Sequence, residues 1–217
     1  MEQLAEHSPV PVVHAPGDGE RRAESAGAEQ GSPVPGTGSE VTVRRARTQD
    51  VRAIRRLVDT YGGVGRRLLE KATVTLYEDV QEFWVATDAE GEVIGCGALH
   101  VLWEDLAEIR TVAVDPTRRG MGIGHRIVSA LIRTAADLGL RRVFCLTFEV
   151  DFFARHGFRE IQGTPVAPEV YAELLASYDE GVAEFLDLEH VKPNTLGNTR
   201  MLLHLTREPD SDDFRAD

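Results

Sequence analysis

Cysteine is scarce in this chain, with two in 217 residues, Cys96 and Cys145. Neither belongs to a CxxC pair and both lie in apolar runs, so no disulfide framework is expected and a reducing, cytoplasmic setting is. Long hydrophobic runs are missing too. No segment approaches the ~18 apolar residues of a membrane span, and no basic start with an apolar stretch marks a signal peptide. Positive charge is in deficit, 24 Lys and Arg against 36 Asp and Glu, a net charge of −12. That argues against nucleic acid or an anionic membrane as a partner. The seven histidines show no HExxH or other ligand spacing, so no metal is expected. What is present, 42% apolar and 28% charged residues, is the balance of an ordinary soluble globular protein.

The composition is uneven along the chain. Residues 1–40 hold five of the ten prolines, six glycines and no Phe, Trp or Tyr, with seven acids against Arg21 and Arg22. Such a segment buries too little apolar surface to offset about 1–2 kcal/mol of backbone ordering per residue. It is expected to be a disordered acidic extension, and residues 207–217, with five acids against two arginines, an acidic disordered tail. One folded domain, residues 41–206, remains, and it is near charge balance.

Within that domain the periodicities alternate. Val41–Val43 opens as a strand, and Thr48 is placed to cap a helix with Val51, Ile54, Leu57 and Val58 on one face. One or two short helices are expected over 65–80. A hairpin follows, with strands 82–87 and 92–102 around a turn at Asp88–Gly91, then a strand over 106–114. Helix 121–138, strand 142–148, a short helix reaching His156-Gly157, a helical insertion over 167–186 and a strand over 199–206 complete an α+β order with a mixed sheet.

Chemistry concentrates in Val112-Ala-Val-Asp-Pro-Thr-Arg-Arg-Gly-Met-Gly-Ile-Gly124. A strand stops at proline, and a glycine-rich turn opens directly into a helix. Unpaired N–H groups of such a turn form a ready phosphate site, and Arg118 and Arg119 add charge. The glycine spacing fits neither G-x-G-x-x-G nor a P-loop. A pyrophosphate binder of another kind is implied.

Arg119-Gly-Met-Gly122-Ile-Gly124 resembles the acetyl-CoA signature Gln/Arg-x-x-Gly-x-Gly/Ala of the GNAT N-acetyltransferases. Glu108-Ile-Arg-Thr-Val-Ala-Val114 resembles the family's preceding strand, and Phe152-Phe-Ala-Arg-His-Gly157-Phe158 its later Phe-Tyr-x-x-x-Gly-Phe segment. The resemblance spans about residues 41–206. It implies a mixed central sheet with helices on both faces and a splayed strand pair that binds acetyl-CoA. Val112, Ala113 and Val114 would meet pantetheine; Arg118, Arg119, Gly120, Met121, Gly122, Ile123, Gly124 and His125 would surround the pyrophosphate, with Phe152 nearby. The segments 108–114, 146–158 and Val191-Lys-Pro-Asn-Thr-Leu-Gly-Asn-Thr-Arg-Met201 further resemble the short actinobacterial amino-acid N-acetyltransferases, which make N-acetylglutamate for arginine biosynthesis and lack an amino-acid-kinase domain.

The resemblance places Glu108 as the general base, direct or through water. Phe153 stands where many members have a tyrosine that protonates the leaving thiolate; a thiol of pKa ~8.5 leaves tolerably without it. A dicarboxylic substrate calls for cations. Arg110, Lys192 and Arg200, with Asn194 in the same loop, are the substrate-binding candidates, ahead of Arg67 and Lys71. Cys145 and Tyr171 are alternative proton carriers, and His156 is expected to act as a helix C-terminal cation. The leading reading is acetyl-CoA-dependent N-acetylation of L-glutamate. Alternatives are another amine (another amino acid, a polyamine or a protein N-terminus) or a non-catalytic CoA-binding sensor. The insertion over 164–190 is a candidate cover for the site or a homodimer contact. Deleting residues 1–40 is expected to leave the melting temperature and glutamate turnover nearly unchanged, since a solvated segment adds few packed contacts; differential scanning calorimetry and turnover of the two forms check this.

Overall fold

Period-two and period-3.6 apolar patterns resolve into seven strands and six α-helices in a computed structural model, which describes residues 40–62, 72–177, 179–186 and 197–205. The tail, all of the acidic extension except Glu40, and Arg67, Lys71, Lys192 and Asn194 lie outside the described residues.

The strands are β1 (Thr42–Arg45), β2 (Phe83–Thr87), β3 (Val93–Trp103), β4 (Leu106–Val114), β5 (Arg142–Thr147), β6 (Arg159–Glu160) and β7 (Thr199–His204). They form one sheet in the order β1-β2-β3-β4-β5-β7-β6, antiparallel at every pair except the parallel β4–β5. Helices α3 (Ile123–Asp137) and α4 (Val150–Ala154) cover one face, where Ile123, Ile127, Val128 and Leu131 pack with Ile109 and Val143. The other face carries α1 (Val51–Tyr61) and α2 (Thr73–Glu78) over Phe83, Val85 and Ala98. It also carries α5 (Pro168–Leu174) and α6 (Glu180–Phe185) over Leu106, Phe144 and Leu202. The α+β reading with helices on both faces holds. Boundaries shift where local chemistry intervenes. Thr48 does not cap α1: residues 48–50 form a 3₁₀ turn, and the buried Asp50 accepts the Arg47 N–H and both Arg44 Nη groups. Helix α3 starts at Ile123 rather than at 121 because Gly122 is left-handed.

Two irregularities of β4 position the site. Its pairing with β5 runs through Leu106–Arg142, Ala107–Val143 and Glu108–Phe144 and then stops, although both strands continue. On its other edge Cys96 pairs with Ala113 while Ala98 pairs with Arg110, so Gly97 opposes both Thr111 and Val112. This is a β-bulge. Thr111 sits in it at φ 57°, a left-handed conformation costing a β-branched residue on the order of 1–3 kcal/mol. The expected parallel neighbours that separate at one end are present.

Across from the bulge, a Cβ on Gly97 would lie 2.9 Å from Ile127 Cγ2 and 3.1 Å from Leu131 Cδ1, both fully buried. Bare backbone here lets α3 sit close on the sheet. Gly97→Ala should therefore lower unfolding stability by about 1–3 kcal/mol through overpacking, read as a shifted urea midpoint at unchanged slope.

Candidate active site

Where β4 and β5 part, a cleft of about 660 Å³ opens between them and the start of α3. Its floor follows from the chain. Asp115 follows β4, and its carboxylate accepts from the Thr117 N–H (2.8 Å) and Oγ1 (2.7 Å), fixing the turn through Pro116; these bonds hold the carboxyl below its ordinary range. Gly120 (φ 79°) and Gly122 (φ 72°) then reverse the chain in left-handed conformations that favour glycine. A Cβ at either would meet nothing within 4 Å, so space lies open above the turn. The unpaired N–H groups at the start of α3 and the guanidinium groups of Arg118 and Arg119 supply positive potential there. Gly124 serves packing instead, since its missing side chain admits Phe152, whose ring carbons would lie 3.3 Å from a Cβ.

The residues expected to hold the cosubstrate line this one cleft, except Met121, whose side chain projects away and is 48% exposed. Tyr61, at the end of α1, was not expected. Its hydroxyl donates to the Val114 carbonyl, and Arg119 donates to that hydroxyl (3.3 Å) while stacking over the ring (5.6 Å). The signal in the sequence is only an aromatic before Gly62-Gly63. His125 also lines the cleft, and its Nδ1 lies 2.8 Å from His156 Nε2. Burial, then the charge of His125, hold the His156 pKa below its ordinary value, which works against the helix-end cation expected. Phe153 borders the cleft with its ring edge-on to Phe152 and Phe158.

A second constellation begins at the last paired rung. Glu108 is 2% exposed, is not among the residues lining the cleft, and shares the strand face that carries Arg110. Arg110 reaches the cleft with its side chain 8% exposed. Its Nη1 donates to Asp179 Oδ1 (2.7 Å) and its Nη2 to Glu82 Oε2 (3.1 Å), with Asp79 Oδ2 at 3.6 Å. Glu82 Oε1 also lies 2.6 Å from His100 Nδ1. Burial works against the Arg110 charge, but Glu108, Asp179 and Glu82 outweigh it and raise the pKa. Asp79, Glu82 and Asp179 were not read from the sequence, because three separated acids carry no spacing that announces a common partner.

The structure does not bring Arg200 to the cleft. Its guanidinium donates to the Gly163 carbonyl (3.0 Å) and the Phe185 carbonyl and stacks on Phe144 (5.0 Å), tying the insertion to the sheet. Cys145 is fully buried. Burial and then the Glu108 charge push its thiol well above its ordinary value, so it is a poor acyl carrier. Among the described residues no cluster of three metal-ligating side chains occurs, and no helix is long and apolar enough to cross a membrane.

Residues 58–158 match the model of the Acetyltransferase (GNAT) family. The amino-acid acetyltransferase of Mycobacterium tuberculosis is 68% identical over 165 residues, which are 75% of this chain and 94% of that protein. A crystal structure from Mycobacterium tuberculosis, solved in complex with CoA and NLQ, is 68% identical and superposes with a TM-score of 0.74, over 76% of this chain and 99% of the other. The N-acetylglutamate synthase of Neisseria gonorrhoeae, complexed with coenzyme A and N-acetyl-glutamate, shares the fold at 22% identity and a TM-score of 0.61, over 79% of this chain and 36% of that one. With its strands parting over a glycine turn that opens a helix, and with a relative matched over nearly its whole length, this chain belongs to the Acetyltransferase (GNAT) family.

Proposed function

We propose that the protein transfers the acetyl group of acetyl-CoA to the α-amino group of L-glutamate, the first committed acetylation of arginine biosynthesis. The coarser level, an acetyl-CoA-dependent amino-acid N-acetyltransferase, follows from the family and from the 68% identity to the amino-acid acetyltransferase of Mycobacterium tuberculosis. The observation that carries the acceptor class is the charge pattern at the far end of the cleft: one buried arginine among carboxylates. An amino acid is a zwitterion, and Arg110 suits its carboxylate while Glu108 and Glu82 suit its ammonium. The choice of glutamate rests on the resemblance of residues 108–114, 146–158 and 191–201 to the glutamate-acetylating forms; Lys192 and Asn194 would meet its side-chain carboxylate.

The open glycine turn, the helix start, Arg118 and Arg119 fit a pyrophosphate, and the parted strands fit pantetheine. Bound acetyl-CoA supplies the activated thioester. The chain's own part is proton transfer and positioning. An α-ammonium is protonated near pH 7 and not nucleophilic, so Glu108, directly or through a water, takes its proton. A backbone N–H near Val112, freed by the parting of the strands, polarises the acetyl carbonyl. Phe153 has no proton to give, so the thiol leaves as thiolate. The carboxylates around Arg110 also suit a more cationic acceptor such as a polyamine; thiol release measured with a panel of amino acids and polyamines decides, and turnover confined to polyamines would overturn the glutamate reading.

Glu108→Gln should lower kcat ~10²–10⁴-fold with acetyl-CoA affinity near normal by calorimetry. Phe153→Tyr should change turnover only a few-fold, and the wild-type pH profile should rise through one limb without a sharp alkaline fall. Gly122→Val, which forces a branched residue to φ 72° and fills the space above the turn, should weaken acetyl-CoA binding at least tenfold. Titration calorimetry reads that loss, and circular dichroism should show the fold retained.

A further inference from the structure

Resting on the amino-acid acceptor read above, we infer that Asp179 occupies the place of the acceptor's carboxylate on Arg110 and competes with it, setting the enzyme's affinity for its amino acid. Four carboxylates already surround this guanidinium. Asp179 makes the shortest contact, 2.7 Å, followed by Glu82 at 3.1 Å and Asp79 at 3.6 Å, with Glu108 two residues away on the same strand face. A fifth carboxylate could not enter beside these four without strong like-charge repulsion in a buried setting. One must yield.

The surroundings select which. Glu108 belongs to the sheet, Asp79 at 3.6 Å is beyond hydrogen-bond distance of the guanidinium, and Glu82, at the entry to β2, is held to His100 as well as to Arg110. Asp179 lies between the short helices α5 and α6, outside the sheet. It also accepts the Val182 N–H (3.1 Å), and its own N–H donates to Ser177 Oγ (3.2 Å); both bonds stay within its own segment and survive a displacement of that segment from Arg110. Arg110 Nε–H is buried in the cleft wall and donates to no described residue, so the guanidinium keeps a donor for an incoming acid. The Asp179 carboxylate thus stands in for the substrate's, and an acceptor lacking a carboxylate gains nothing by displacing it. Asp179 is a specificity-setting residue that acts through Arg110.

The test uses the full chain with saturating CoA and titrates L-glutamate and a panel of other amino acids by calorimetry, beside steady-state kinetics. Asp179→Asn and Asp179→Ser remove the charge and keep an acceptor for the Val182 N–H, so α6 retains its cap. Both should tighten amino-acid binding about three- to tenfold, the scale of one partly exposed ion pair. The gain should show in KM and not in kcat, with CoA affinity unchanged. Weaker binding in both variants would mean that Asp179 orients Arg110, and unchanged binding that it plays no part; either overturns the inference while leaving the proposed activity standing. Tightening confined to another amino acid would uphold the inference and displace glutamate as substrate. Failure of every amino acid to bind wild type and variants alike would overturn both.

Discussion

Everything functional in this fold depends on β4 leaving β5 after three rungs. Two parallel strands that stayed paired would spend their backbone groups on each other and leave no room between them. The bulge at Thr111 makes the departure permanent, since the extra residue twists the strand away and exchanges the sides on which its side chains fall. Before the bulge, Glu108 and Arg110 look toward the insertion; after it, Val112 and Val114 pack on the α3 side and Ala113 on the α1 side. One inserted residue therefore separates the Glu108–Arg110 end from the end that lines the glycine turn within a single strand. The strain of a left-handed threonine is a modest cost beside that, and the Cys96 Sγ–H, donating to the Thr111 carbonyl at 3.7 Å, steadies it.

The two ends differ in how they handle charge. At the glycine turn, positive potential comes from backbone amides and from arginines near solvent, a design that suits a ligand bringing its own large negative charge. At the acceptor end one arginine is submerged among acids, and the site's sign is set by which of them holds it. On the proposed reading, such a site takes a small zwitterion by exchange of partners rather than by net attraction. It also explains how a chain of net charge −12 can bind acidic molecules at all: the relevant fields are local.

Much of this was readable from the residues. The β4 boundaries, the hairpin before it and the amphipathic α3 followed from period and punctuation, because Asp115-Pro116 and the glycines of the turn leave few other conformations. The residues that line the glycine-turn end of the cleft were legible for the same reason: they are nearly consecutive, and of those expected there only Met121 is not in the lining. The acceptor end was not. It assembles Asp79, Glu82, His100, Arg110 and Asp179 from four separate segments, and a contact between distant side chains leaves no mark in spacing. Arg200 misled for the converse reason, since a cation beside a loop looks alike whether it faces a ligand or, as here, carbonyls of an insertion.

The two cysteines have a practical bearing. Both are fully buried in the sheet, Cys96 with its thiol pushed up to about 12 by burial and Cys145 also well above the ordinary range. Electrophiles attack accessible thiolates, and both thiols are buried in the sheet. A chromogenic disulfide added to the working enzyme therefore registers liberated CoA with no background from the catalyst. The same reagent turns into a reporter of unfolding once the sheet comes apart.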